Sequence, residues 1–232
     1  TPERTIYFGC AHNEKTGGPP NGAAAIAQHL ATRGIHDAWL LDEGGLILDG
    51  VPGVTRPVAF VGVTEKDPVN VELRVEAPGG HASMPPAETA VGILGRALDR
   101  LEQRPVPARL DGVVREMFMT LAPEMTLPMR VLFANLWLTQ PVIVRRLAAQ
   151  PRTNATLRTT MAPTMLEASP KANVLALSAR AIVNVRLLPG DTAETVTRHM
   201  RAAIDDRRVT ITVLDGEAGA PPPISPTQSG VF

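Results

Sequence analysis

Strict alternation in two segments far apart in the chain most constrains the fold. Val71, Leu73 and Val75 alternate with Glu72, Arg74 and Glu76; much later Ala181, Val183, Val185 and Leu187 alternate with Arg180, Ile182, Asn184 and Arg186. A period of two gives a strand with one dry and one wet face, so a sheet covered on one side is expected. Each such segment precedes an amphipathic stretch. Glu88 to Gln103 reads as a helix with Val91, Leu94, Leu98 and Leu101 along its inner side. After the turn Pro189-Gly190, Asp191 is the expected helix cap, with Glu194 three residues on and Val196, Met200 and Ile204 facing inward. Leu157 to Met165 and Val209 to Val213 supply two further strands. The order strand, helix, strand, strand, helix, strand is the split βαβ order of a ferredoxin-like domain.

Two other regions flank or interrupt that unit. Val106 to Thr153 is too long for an ordinary loop and is rich in Met, Leu and Pro, so it reads as inserted helices. Its run Leu132, Phe133, Leu136, Trp137, Leu138 has more apolar surface than a small domain easily hides, and self-association is expected from it. At the other end, Thr5 to Phe8 and Ala38 to Leu41 read as strands, joined by a helix from Ala23 to Arg33 that Gly34 stops. That is a βαβ unit of a parallel sheet. The expected division is therefore a partial catalytic α/β domain over 1–66, an α+β lid over 67–216 with its helical insertion at about 106–153, and a returning segment over 217–232.

Composition narrows the function classes. The 232 residues carry 23 Lys plus Arg and 23 Asp plus Glu, so whole-chain charge favours neither a nucleic-acid partner nor an anionic membrane surface. A single cysteine, Cys10, excludes an intrachain disulfide framework and a thiolate metal site. The most apolar stretch, Val131 to Leu147, is interrupted by Asn135, Gln140, Pro141, Arg145 and Arg146 and falls short of the roughly 20 apolar residues of a membrane span. A soluble chain is expected, and nothing in it specifies a compartment.

Several residues are candidates for chemistry. Glu14, at an expected strand end, is suited to general-base work, but on its residue type and place alone it reads more readily as a solvated loop carboxylate. His12 and His81 are lone imidazoles with no His-x-x-x-His spacing. His81 has the richer context, because Pro78-Gly79-Gly80-His81-Ala82-Ser83 joins a backbone turn to a donor that can face an oxyanion. Asp42, before Glu43-Gly44-Gly45, is a hard oxygen donor for a cation. Arg186 and Asn184 share a strand face on which a guanidinium can hold a carboxylate through paired bonds.

Four blocks then occur in a telling order: His12 to Gly18; Leu41-Asp42-Glu43-Gly44-Gly45; Gly80-His81-Ala82-Ser83-Met84-Pro85; and Lys171-Ala172-Asn173-Val174-Leu175 with Asn184 to Asp191. Together they resemble the zinc-dependent metallopeptidase family of aminoacylase, carboxypeptidase S and succinyl-diaminopimelate desuccinylase, most closely its carboxypeptidase S branch. The resemblance implies a two-zinc catalytic α/β domain interrupted by a ferredoxin-like dimerisation lid. It also implies a homodimer and hydrolysis of the amide of N-acyl amino acids or C-terminal dipeptides. By the same resemblance Glu14 matches the general base, Asp42 a zinc ligand, His81 a lid imidazole reaching the partner protomer's site, and Asn173 and Arg186 substrate-holding residues.

The resemblance is imperfect at Lys15, which stands where the family has a ligating Glu; an ammonium has no lone pair for a metal. The family's first His-x-Asp pair, its bridging Asp and its last ligand His have no match within the chain. The expectation is that this chain alone does not assemble the two-metal centre. The rival reading is a catalytically inactive lid, dimerisation or ligand-binding module.

Overall fold

The computed structural model describes residues 5–12, 21–36, 39–42, 45–51, 53–214 and 223–227. The chain divides into two compact units, Thr1–Glu43 with Gly230–Phe232, and Gly44–Ser229.

In the first unit the only described element is helix α1 (Gly22–Thr32), one residue earlier than the sequence suggests. Asn21 caps it, its side-chain oxygen accepting the Ala24 N–H at 3.2 Å, and Gly34 leaves it with φ +67°, a conformation glycine adopts without strain. Gly22 is also required sterically. Its N–H donates to the His12 carbonyl at 3.1 Å, and a Cβ there would lie 2.7 Å from the His12 nitrogen. The strands expected at Thr5 to Phe8 and Ala38 to Leu41 differ from what is found: the described residues among them join no ladder, and Phe8 is 91% exposed. A parallel strand exists only through neighbours in a sheet covered on both faces, and the described residues supply no such neighbours.

The second unit opens with an antiparallel pair, β1 (Leu46–Leu48) and β2 (Val58–Phe60). Next come β3 (Asp67–Glu76), β4 (Gly80–His81) and α2 (Ala90–Gln103). The insertion contributes α3 (Gly112–Leu121), a 3-10 turn at Ala122–Glu124, α4 (Leu127–Ala134), α5 (Leu136–Ala148) and α6 (Pro151–Leu157). The chain continues through β5 (Thr160–Glu167), β6 (Val174–Leu175), β7 (Ser178–Leu187), α7 (Ala193–Ile204) and β8 (Val209–Val213). The main sheet is antiparallel throughout, in the order β5-β7-β3-β8, which is the ferredoxin-like arrangement.

Alternation explains the sheet's dry face: Val71, Leu73 and Val75 from β3 and Val183 and Val185 from β7 are all but fully buried, sharing one core with α2 and α7. The buried face of α2 is Ala90, Ile93, Leu94, Ala97 and Leu101, while Val91, expected inside, is half-exposed. Alanines on the inner face allow the helix to lie close to the sheet. α2 begins at Ala90, not Glu88, and Thr89 caps it, its hydroxyl accepting the Gly92 N–H at 3.1 Å. The cap of α7 also differs from expectation. Thr192 and Thr195 form a reciprocal capping box, with hydrogen bonds of 2.9 and 3.2 Å, leaving Asp191 for another task.

The insertion is helical as expected and has its own core, in which Phe118 and Phe133 stack at 5.4 Å with Met125, Leu136, Ile143 and Leu157 around them. Helices α4 and α5 meet at a 119° bend. Two carbonyls at the bend accept from side chains, Val131 from the Asn135 amide at 2.8 Å and Leu132, which also accepts the Asn135 backbone N–H, from the Thr139 hydroxyl at 2.6 Å.

Two polar clusters tie the insertion to the sheet. Asp191 accepts from Arg109 Nη1 at 2.8 Å and from the Thr159 hydroxyl, and Thr159, almost wholly buried, accepts the Leu188 N–H at 2.8 Å. The second is Lys66, whose ammonium donates to the carbonyls of Ala155 and Arg158, both at 2.9 Å, and to the Thr160 hydroxyl at 3.2 Å. Burial first, and the Arg186 charge second, push Lys66 down to about 8 from the usual 10.5, against the opposing pull of Asp191. The sign follows from linkage. Below about pH 8 folded and unfolded chains both hold the proton and the native state bears the full cost; between about 8 and 10.5 only the unfolded chain stays charged. Stability should therefore rise with pH across that window, and Lys66→Met should flatten the rise in denaturant titrations taken at successive pH values.

Candidate functional site

His81 is placed by a short ladder at one end of the main sheet. β4 pairs with β6, setting Gly80 opposite Leu175 and His81 opposite Val174, and the Ala82 N–H donates to the Asn173 carbonyl at 3.0 Å. Two blocks distant in sequence, Gly80 to Pro85 and Lys171 to Leu175, therefore become one hairpin-like platform. Gly79 permits it, since a Cβ there would sit 2.9 Å from Leu177 Cδ2 and 3.2 Å from the Leu175 carbonyl.

The ring of His81 is exposed and oriented by Ser83. The Ser83 backbone N–H reaches His81 Nδ1 at 3.2 Å, and the Ser83 hydroxyl lies 2.8 Å from the same nitrogen. A backbone N–H can only donate, so Nδ1 is the acceptor and the proton of the neutral ring resides on Nε2. The ring thus offers an N–H donor away from its own loop, the form that suits an oxyanion. Ser83 belongs to the block quoted above, yet its role as the orienting partner is visible only once the turn is folded.

Arg186 lies near the opposite end of the same sheet. It stands on β7 across from Pro68 on one side and Thr160 on the other. Its Nε donates to the Asn184 side-chain oxygen at 3.2 Å, and the Asn184 amide donates in turn to the Asn70 side chain at 2.9 Å. Asn184 therefore holds the guanidinium in place, and Asn70, directly opposite it on β3, extends the chain of bonds. The guanidinium itself remains exposed. From Ser178, where β7 begins, to Arg186 the strand runs about 26 Å at the usual strand rise. One chain therefore does not bring His81 and Arg186 onto the same small ligand.

Asp42 belongs to the first unit. Glu14 and Lys15 lie outside the described residues. Among the described residues no three His, Cys, Asp or Glu side chains converge as a metal site, whereas zinc takes three or four protein donors. The described residues thus do not by themselves fit a zinc centre.

Comparison with known proteins agrees with this architecture. Residues 63–212 match the M20 peptidase dimerisation domain. The N-fatty-acyl-amino acid synthase/hydrolase PM20D1 of Xenopus tropicalis is 42% identical over 227 residues, 97% of this chain and 44% of that protein. A probable carboxypeptidase S-like 2 of Dictyostelium discoideum is 40% identical over 234 residues, 100% of this chain and 44% of that protein. The chain thus spans under half the length of these curated relatives. Among solved structures, the dipeptidase Dug1p of Saccharomyces cerevisiae aligns with 86% of this chain and 45% of its own, at 12% identity and a TM-score of 0.43. With its ferredoxin-like sheet and the domain match across 63–212, the chain belongs to the M20 metallopeptidase family and carries that family's dimerisation domain.

Proposed function

We propose that the protein containing this chain hydrolyses the amide bond of N-acyl amino acids, long-chain acyl groups included, or of C-terminal dipeptides, and that this chain supplies its lid. The observation that carries the reading is the orientation of His81, whose Nδ1 is occupied by Ser83 and whose Nε2–H is left to donate. In this scheme Nε2–H stabilises the oxyanion of the tetrahedral intermediate, Arg186 binds the substrate carboxylate in paired hydrogen bonds, and Asn173 adds a further polar contact. Glu14 takes the proton of the attacking water and passes it to the leaving amine. Asp42 would be one ligand of the zinc centre of the longer protein, which would supply Lewis-acid chemistry at the scissile amide.

Because His81 and Arg186 lie at opposite ends of the sheet, the proposal includes a homodimer through the lid in which each protomer lends its His81 to its partner's site. Domain boundaries near residues 66 and 216 complete it. Lys15 favours a second reading, a lid or ligand-binding module without a metal centre. Kinetics of the longer protein separate them. His81→Ala should lower kcat about 100-fold with little change in KM, as for loss of one oxyanion donor. Arg186→Lys should raise KM for substrates with a free carboxylate and leave amidated analogues unaffected. A protein without chelator-sensitive turnover would support the module instead. For this chain alone, light scattering should report a dimer, and metal analysis after dialysis should find zinc well below one per chain.

A further inference from the structure

The whole-chain charge balance hides a local asymmetry. From Met125 to Leu166 the sequence holds five arginines and no Asp, Glu or Lys. Four of them, Arg130, Arg145, Arg146 and Arg152, are exposed and have no ion-pair partner among the described residues. On α5 the exposed positions are Trp137, Leu138, Gln140, Pro141, Val142, Arg145 and Arg146, and the helical spacing puts all of them but the uncharged Gln140 on one helix face. Trp137 is 83% exposed, although Leu136 and Ile143 already bury the opposite face in the insertion's core. Beyond the 119° bend, α4 adds Leu127 and Val131, both exposed.

We infer that this corner of the insertion docks on the surface of an anionic phospholipid bilayer, with Trp137, Leu138 and Val142 in the headgroup region and the arginine pair on lipid phosphates. Apolar and aromatic side chains beside unpaired arginines are the composition of helices that lie in that interface. Thirteen residues of helix measure about 20 Å, against a hydrocarbon core of about 30 Å, so α5 lies on the membrane and does not cross it. Charge also selects the occupant. A second copy docked face to face would set Arg145 and Arg146 against their own like, with no acidic side chain in the stretch to meet them. An anionic lipid surface provides the opposite sign, and the inference stands independently of the hydrolase reading.

Vesicle sedimentation of the 232-residue chain tests it. The chain should bind phosphatidylcholine vesicles containing about 30% phosphatidylserine and leave pure phosphatidylcholine vesicles unbound. In a Trp39→Phe background, Trp137 emission should shift to the blue and be quenched by brominated acyl chains. Arg145→Gln with Arg146→Gln should lower the partition coefficient about 30-fold, the loss of two surface cations. Leu138→Ser with Val142→Ser should remove the quenching without changing the melting temperature, because both side chains are already in water. Equal binding to the two vesicle types, or unchanged binding by the double arginine variant, would overturn the inference. So would lipid-free, concentration-dependent protection of Trp137, which would assign this face to protein contact.

Discussion

Phe133→Ala should destabilise the protein by about 3–5 kcal/mol and lower its melting temperature by roughly 10 °C, the usual outcome for an aromatic ring deleted from a closed core. Phe133 is 1% exposed and stacks on Phe118 with the planes only 14° apart. Few neighbours are free to collapse into the space. The insertion's core comprises seven buried residues, one of them Leu157 in the short α6. Removing the ring therefore leaves a cavity and also loosens the helices that present the α5 face. Calorimetry measures the first effect. Faster hydrogen exchange in α3, α4 and α5, with β3 and β7 unchanged, would show that the insertion opens separately from the sheet. A loss below about 1 kcal/mol would mean that the two phenylalanines do not anchor the insertion as described.

The second large effect is expected at Asp191. Asp191→Ala removes the acceptor for both Arg109 and the Thr159 hydroxyl, so a largely buried polar cluster loses its centre, at a cost of about 3 kcal/mol. Arg109 and Thr159 lie at the two ends of the insertion, just before α3 and just after α6, and Asp191 lies at the turn between β7 and α7. The variant should thus separate the melting of the insertion from that of the sheet, seen as a broadened or double transition. A double-mutant cycle of Arg109→Ala with Asp191→Ala should return a coupling of about 1–3 kcal/mol. Additive losses would mean that the pair does not act as the tether.

Much of this protein is legible without coordinates. Alternation in Val69 to Glu76 and Arg180 to Leu187 determined two central strands and their dry faces, because a period of two admits one pairing of pattern with burial. The same reading placed α2, α7, β8 and the helical character of the insertion. The block around His81 and Ser83, taken with the others, determined the family. What local pattern did not supply was partner choice over distance. Asp191 reads as a helix cap because that is its best local option, but Arg109, 82 residues away, holds it instead, and Thr192 takes the cap. Val91 reads as inward by its character; packing turned the helix so that Ala90, Ile93 and Ala97 meet the sheet. The residues expected as strands in the first unit are apolar enough, yet a strand is defined by its neighbours, and the described residues offer none. Glu14 and Lys15 lie outside the described residues, so their chemistry stands on sequence and resemblance. The arginine-rich stretch was countable from the start. Only the tertiary structure decided that Phe133, Leu136 and Ile143 would bury one another and leave Trp137, Leu138 and Val142 beside those arginines in water, since burial depends on which face finds a partner and not on how apolar a residue is.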